Sequence, residues 1–285
     1  MTRHYLMCAP TYFDVRYSIN PWMDPSRPVD PARALDQWSR LVAAYRSCGH
    51  RVDLLSPVAG LPDMVFAANG ATVVDGQVLQ ARFANVQRRA EAAEHAGWHR
   101  GRQAYGGGAV RTPVAVNEAE GDFAVLSHRI LAGHGFRTTV DAHHELAVLT
   151  GRPVLSLELV DPFFYHLDTA LTVLDDRRDH IAYYPAAFSP ASQALLAAEF
   201  PDALIATAAD AAVLGLNCVS DGRNVFVPGG PAGLCDQLRA AGYRPIEIDL
   251  SELMLGGGSV KCCTQEVRTS PPSPLQSPST PGGTS

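Results

Sequence analysis

A strand, a tight turn, a second strand, a helix and a third strand return along this chain about every 40 to 60 residues, and a chain that repeats one such unit is constrained toward a repeated, propeller-like architecture. Apolar runs of strand type carry the pattern: Tyr5–Cys8, Val52–Leu55, Val65–Val74, Val78–Leu79, Phe123–Leu126, Val154–Leu159, Leu171–Leu174, Ile181–Tyr184, Val225–Val227, Ile246–Ile248 and Val260–Cys263. Helical stretches lie between them at Pro31–Ser47, Asn85–Gly97, Thr139–Thr150, Pro190–Phe200 and Pro231–Ala241, several opening on Pro or a capping residue and closing near Gly. Asp75-Gly76 and Asp221-Gly222 are the clearest hairpin turns. The repeat restarts near Asp63, Glu118, His166, Asn217 and Ser259. Five units with a polar residue at the start of each inner strand would converge those groups on one central pocket; an ordinary mixed α/β sheet is the other architecture that fits the pattern.

Composition narrows the function classes. Of 285 residues, 46% are hydrophobic and 18% charged, which is a globular and not a disordered balance. A formal charge of -6 offers no field for phosphate backbones, so no nucleic acid partner is expected. Neither a signal-type apolar segment at the N-terminus nor an uncharged apolar run of bilayer length is present, so the expected setting is cytoplasmic, without a membrane partner. Cys8, Cys48, Cys218, Cys235, Cys262 and Cys263 lack C-x-x-C spacing and read as free thiols. From Thr269 to Ser285, 15 of 17 residues are Pro, Ser, Thr or Gly, which reads as a disordered tail after a single domain spanning residues 1–268.

Four segments hold residues able to carry chemistry. Asp63 and Asn69 flank a short apolar run before a hairpin, where an Asx-turn and strand cap compete with a binding role. Glu118-Ala-Glu-Gly-Asp122 packs three carboxylates ahead of a strand; like charges this close call for a cation, a cationic substrate among the candidates, or for solvent. His166 and Asp168 stand two apart before Leu171–Leu174, so on extended chain they share a face, suiting proton transfer beside charge binding or a buried structural pair. Gly256-Gly-Gly-Ser-Val-Lys-Cys-Cys-Thr264 joins conformationally free backbone to two thiols, of which a strand would turn at most one into a given pocket. His143-His144-Glu145 lacks the i, i+4 spacing of a zinc helix and reads as a solvated face. Gly106–Gly108 and Gly133–Gly135 match no phosphate-binding fingerprint, so neither metal nor nucleotide cofactor is expected.

In combination and in order, Asn20-Pro-Trp-Met23, Pro62-Asp-Met-Val-Phe-Ala-Ala-Asn69, Glu118-Ala-Glu-Gly-Asp122, Phe164-Tyr-His-Leu-Asp-Thr169 and Gly257-Gly-Ser-Val-Lys-Cys-Cys263 resemble the guanidino-group-modifying enzymes of the pentein superfamily. The resemblance covers nearly the whole chain except the tail. It implies an α/β fold, a five-bladed α/β propeller around a central polar pocket, and a small-molecule substrate. It also implies Cys262 as nucleophile in preference to Cys263, His166 as general acid and base, and Glu118 as the carboxylate that orients it. The family usually shows Glu-Gly-Gly-Asp, and the stretch here is one residue longer, so Glu120 is the alternative carboxylate. Asp168 and Asn69 would hold the guanidino group, Arg88 and Arg137 resemble the arginines that clamp an α-carboxylate, and Asp63 and Asn20 are further substrate-binding candidates.

Asn69 stands where deiminases carry aspartate, and in this the chain most resembles the arginine dihydrolases. The implied activity is hydrolysis of arginine to ornithine, ammonia and carbon dioxide through a covalent thiouronium adduct. Hydrolysis of dimethylarginine to citrulline and dimethylamine, amidino transfer, and a non-catalytic binding role are the alternatives. Oligomeric state is not legible.

Overall fold

In the computed structural model, which describes residues 2–101 and 109–269, the fifteen strands form five separate sheets of three strands each. The chain runs β1 (His4–Cys8), α1 (Pro31–Ser47), β2 (Arg51–Leu55), β3 (Ala71–Val74), β4 (Gln77–Gln80), α2 (Glu91–Arg100), β5 (Val110–Arg111), β6 (Phe123–Val125), β7 (Ile130–His134), α3 (Val140–Thr150), β8 (Val154–Glu158). It continues α4 (Leu167–Ala170), β9 (Leu171–Asp175), β10 (His180–Tyr183), α5 (Pro190–Glu199), β11 (Leu204–Ile205), α6 (Ala208–Ala211), β12 (Val219–Ser220), β13 (Asn224–Pro228), α7 (Ala232–Ala240), β14 (Arg244–Ile248), β15 (Gln265–Glu266). Each sheet repeats one wiring: a first strand antiparallel to the central one, which is parallel to a third reached through a helix. The sheet holding β1 and β2 takes its antiparallel strand from the far end of the chain, β15, so the two ends of the fold close the ring of five blades. This is the five-bladed α/β propeller expected from the repeats.

Local chemistry accounts for the units. Asp30 caps α1 by accepting from the amides of Ala32 and Arg33, Pro31 opens it, and Ala34, Trp38, Leu41, Val42 and Tyr45 bury one helical face. Asp75 and Gly76 both adopt positive φ, 49° and 79°, the pair a two-residue hairpin between β3 and β4 requires. Among the described residues no helix is long and apolar enough to cross a membrane.

The differences from expectation cluster at the pocket. Residues 65–70, read as the start of a strand, form two 3-10 turns, Pro62–Val65 and Ala67–Asn69, before β3 begins. His166 and Asp168 do not lie on extended chain: His166 caps the one-turn helix α4 that carries Asp168. Val260–Cys263 is a turn, with the Cys263 amide donating to the Ser259 carbonyl. His143 is buried, bonded to the Ser156 hydroxyl and the Gly133 carbonyl, and not solvated. Gly106–Gly108 and the tail beyond Thr269 lie outside the described residues.

Every inner strand is therefore preceded by one tight turn, and these turns are joined around the axis. The Ala68 amide donates to the Cys262 carbonyl (3.0 Å), Asn69 Nδ2 to the Glu118 carbonyl (3.2 Å), and the Leu167 amide to Asp122 Oδ1 (3.0 Å). Asn217 Nδ2 donates to the Asp168 carbonyl (3.1 Å), and the Lys261 amide to the Asn217 carbonyl (3.1 Å). These bonds pass through all five blades and return to the first, so the catalytic candidates sit on a closed, rigid collar.

Candidate active site

The collar surrounds a buried cavity lined by Asn20, Asp63, Asn69, Arg88, Arg137, Tyr165 and Cys262, with Ile19, Met23, Phe66, Gly256 and Gly258 completing its wall. An outer vestibule shares Ile19, Asn20, Arg137 and Tyr165 with it and opens between Asn85, Phe136 and Pro162. Asn20 bridges the vestibule to the nucleophile segment: its Nδ2 donates to the Gly256 carbonyl (3.1 Å) and its Oδ1 accepts from the Trp22 amide (2.9 Å). A Cβ at Gly257, whose φ is 85°, would fall 2.7 Å from Asn20 Oδ1, so glycine is required there.

The three acids of Glu118-Ala-Glu-Gly-Asp122 answer to three different partners. Ala119 adopts a φ of 51° and a 3-10 turn spans Ala119–Gly121, which fans the side chains apart. Glu118, fully buried, accepts from His166 Nε2 at 2.9 Å and from Arg137 at 3.0 Å. Glu120 points to the rear of the ring, to Lys261 and Arg268 at 2.5 Å each. Asp122 accepts from the Thr138 hydroxyl at 2.7 Å and from the Leu167 amide at 3.0 Å, at the turn that carries His166. Burial alone would raise Glu118, but the Arg137 guanidinium, the bond from His166 and Arg88 outweigh it and hold the carboxyl well below the usual range. His166 thus has an ionised acceptor on Nε2, and its buried Nδ1 has no hydrogen-bond partner. Between Glu118 and Glu120, the former occupies the orienting position.

Cys262 is buried, and its Sγ donates to Asp168 Oδ2 at 3.3 Å. Burial, with the Asp168 carboxylate beside it, pushes the thiol well above its ordinary pKa. Burial likewise raises Asp168 to about 6, against the opposing pull of His166 and Lys261. Asp168 Oδ1 has no partner. Cys263 is also buried and, unlike Cys262, does not line the cavity; it belongs to the apolar cluster with Tyr45 and Phe226.

Asn69 is held from both ends, its Oδ1 accepting from Arg88 at 2.9 Å and its Nδ2 donating to the Glu118 carbonyl. Arg88 also grips Glu91 (2.8 Å) and the Asp63 carbonyl (3.2 Å) and lies 3.9 Å from Asp63 Oδ2, which accepts from Tyr17 at 2.7 Å. Arg137 donates to the Ile19 carbonyl and lies over the Tyr165 ring, 4.8 Å from its centroid. The structure brings Asn20, Asp63, Asn69, Arg88, Glu118, Arg137, His166, Asp168 and Cys262 into this one site. Of the buried acids here, Glu118 is held ionised against its burial by Arg137, His166 and Arg88, while burial raises Asp63, Glu91, Asp122 and Asp168 above their ordinary carboxylate values.

Sequence reasoning passed over Glu91, Tyr165 and the role of Asn217. Glu91 stands three after Arg88, an ion-pair spacing that signals it; Tyr165 adjoins His166; in sequence Asn217 reads only as a point where the repeat restarts.

No protein-family model matches the chain. The N(G),N(G)-dimethylarginine dimethylaminohydrolase of Mycobacterium tuberculosis is 52% identical over 266 residues, 93% of this chain and 86% of that protein. The bifunctional arginine dihydrolase/ornithine cyclodeaminase ArgZ of Synechocystis sp. is 33% identical over 268 residues, 92% of this chain but 37% of that longer protein. Among solved structures, the substrate-bound N-terminal domain of ArgZ, an arginine dihydrolase, superposes with a TM-score of 0.87 at 32% identity, covering 94% of this chain and 98% of the domain.

Proposed function

Because the chain belongs to the pentein family of guanidino-group hydrolases that includes dimethylarginine dimethylaminohydrolase and arginine dihydrolase, we propose that it cleaves the guanidino group of arginine twice, releasing ornithine, two ammonia and carbon dioxide. The observation that carries this reading is the Cys262, His166, Glu118 and Asp168 set on one collar with an amide, Asn69, in place of a second facing carboxylate.

A guanidinium is planar and always protonated at neutral pH, so it is recognised by in-plane acceptors, and its carbon is a poor electrophile. Asp168 supplies one acceptor with its free Oδ1. Arg137, at the boundary of cavity and vestibule, and Arg88 receive the α-carboxylate; Asn20 and Asp63 border the ligand. Burial and Asp168 hold the thiol neutral until a substrate arrives. The substrate's own positive charge beside the sulfur favours transfer of that proton to His166, which becomes charged, and the thiolate attacks the guanidino carbon. His166, charged, protonates the leaving nitrogen and ammonia departs, leaving an S-linked thiouronium. His166, now neutral, takes a proton from water, which adds to the same carbon and expels the thiolate. Glu118 stabilises the imidazolium at both steps.

The citrulline so formed carries a neutral ureido group. A second carboxylate would prefer the cation and release the neutral product; Asn69, beyond its bonds to Arg88 and the Glu118 carbonyl, keeps a second Nδ2 hydrogen and a second Oδ1 lone pair for a neutral group, so a second attack follows and a second water completes the balance. Asn69→Asp is expected to shift products from ornithine toward citrulline, and unchanged ornithine output would remove Asn69 from this account. The 52% identity to a dimethylarginine dimethylaminohydrolase favours a second reading, release of dimethylamine from dimethylarginine by the same residues. Mass-spectrometric product analysis with L-arginine, citrulline and asymmetric dimethylarginine decides: ornithine from arginine and citrulline is the expected result, dimethylamine with citrulline as end product supports the second reading, and no turnover refutes both.

Gly121 sets a further expectation. A Cβ there would lie 2.3 Å from Asn69 Nδ2 and 3.1 Å from His166 Nδ1. Gly121→Ala displaces the amide and crowds the ring, and kcat/KM should fall at least about tenfold, the cost of a small misplacement of reacting groups. Steady-state kinetics at unchanged circular dichroism tests it.

A further inference from the structure

Asn217 is fully buried at the start of the blade formed by β12, β13 and β14, and its side chain makes five hydrogen bonds. Its Oδ1 accepts from the backbone amides of Ser259 (3.2 Å), Lys261 (2.9 Å) and Cys262 (3.1 Å), so one carbonyl gathers the turn that carries the nucleophile. Its Nδ2 has two hydrogens, one directed to the Asp168 carbonyl and the other to Cys262 Sγ, each at 3.1 Å. The sulfur therefore has two polar side-chain neighbours of opposite character. Asp168 Oδ2, at 3.3 Å, accepts from the neutral thiol and repels the thiolate. Asn217 Nδ2 gains when the sulfur becomes an anion, because a hydrogen bond to a charged acceptor is about twice as strong as to a neutral one.

We propose that Asn217 is a catalytic residue: its Nδ2 is a preorganised donor to the Cys262 thiolate, while its Oδ1 fixes the Ser259–Cys262 turn so that donor and sulfur stay aligned. This rests on Cys262 being the nucleophile. The thiolate forms at attack and re-forms each time the adduct is hydrolysed, so one fixed N–H serves both the entry to and the exit from the covalent state. The amide orientation is dictated by the collar, since reversing it would set the NH2 group against three backbone N–H donors.

Asn217→Asp separates the two roles, keeping an oxygen for the three amides and placing a carboxylate oxygen where the donor stood. In the full-length protein, the midpoint of Cys262 alkylation by iodoacetamide, followed against pH by mass spectrometry, is expected to rise by at least about one unit, and kcat to fall roughly 10- to 100-fold, with KM within about threefold. An unmoved alkylation midpoint with kcat within about twofold of wild type would overturn the proposal and leave Asn217 a brace for the turn. Should the variant fail to fold, the wild-type protein labelled with 15N-asparagine gives the same answer. The Asn217 side-chain amide resonance is expected to shift with pH in step with Cys262 alkylation and to lose that shift in Cys262→Ala; a resonance that does not track the thiol refutes the proposal. Turnover retained by Cys262→Ala would instead strike the nucleophile assignment itself, a separate failure.

Discussion

Alanine in place of Cys262 leaves a folded protein whose turnover of guanidino substrates falls by about 10⁴-fold or more, the scale seen when a covalent nucleophile is removed. The side chain is small, and its loss costs the fold about 1 kcal/mol, the scale of one buried methylene. The variant also takes from Asp168 Oδ2 the thiol that donates to it at 3.3 Å, a further cost of about 1 kcal/mol. The collar is untouched, because Cys262 contributes to it through its backbone carbonyl and amide. A melting temperature within a few degrees of wild type, with no covalent adduct detected by intact-mass measurement, is the expected pair of results. Cys263→Ala is the control: this thiol is buried but, unlike Cys262, is not among the residues that line the cavity, and its removal should spare turnover. Full activity in Cys262→Ala would transfer the nucleophile to Cys263 or demand a non-covalent route.

What sequence reading reached and what it missed divide by the length scale of the signal. Pro31–Ser47 was bounded correctly because Asp30, Pro31 and a repeating apolar face act together over several turns. Asp75-Gly76 announced its hairpin because two consecutive positive φ angles admit few other residues. The turns before each inner strand span three or four residues, too few to show helical periodicity, and their apolar neighbours merged them into the strands that follow. Hence 65–70 and Val260–Cys263 read as strand, and His166 and Asp168 as an extended pair. The residues singled out by the repeat and by the family resemblance nevertheless come together on one collar and its cavity, because the ordered motifs mark where each turn lies even when its backbone is misread. Which carboxylate orients His166 was not legible: Glu118 and Glu120 differ by two positions, and a positive φ at Ala119 sends them to opposite sides of the ring.

That separation makes the two glutamates give opposite failures. Glu118→Gln preserves volume but removes the charge that faces His166 at 2.9 Å and Arg137 at 3.0 Å. The amide cannot stabilise an imidazolium as the carboxylate does, so kcat is expected to fall by about 10²- to 10⁴-fold, the range of general acid–base catalysis, with the melting temperature less affected than activity. Glu120→Gln removes the carboxylate that Lys261 and Arg268 share at the rear of the ring at 2.5 Å, leaving Arg268 paired with Glu266 at 2.9 Å and Lys261 bonded to the Thr264 carbonyl at 3.0 Å. Loss of the two charge-assisted bonds costs about 1–3 kcal/mol, so stability drops while kcat stays within about threefold of wild type. The pH dependence identifies the source. Burial alone would raise Glu120, but Arg268 and Lys261 outweigh it and place the folded carboxyl below its ordinary 4.5. A carboxylate lowered by folding stabilises above its unfolded value, and that stabilisation is lost as pH falls through the folded one. The difference in melting temperature between wild type and Glu120→Gln should therefore be full at pH 7 and shrink progressively below about pH 4.5. Loss of kcat in Glu120→Gln at unchanged stability, with Glu118→Gln active, would reverse the assignment and place the orienting carboxylate two residues further along the chain.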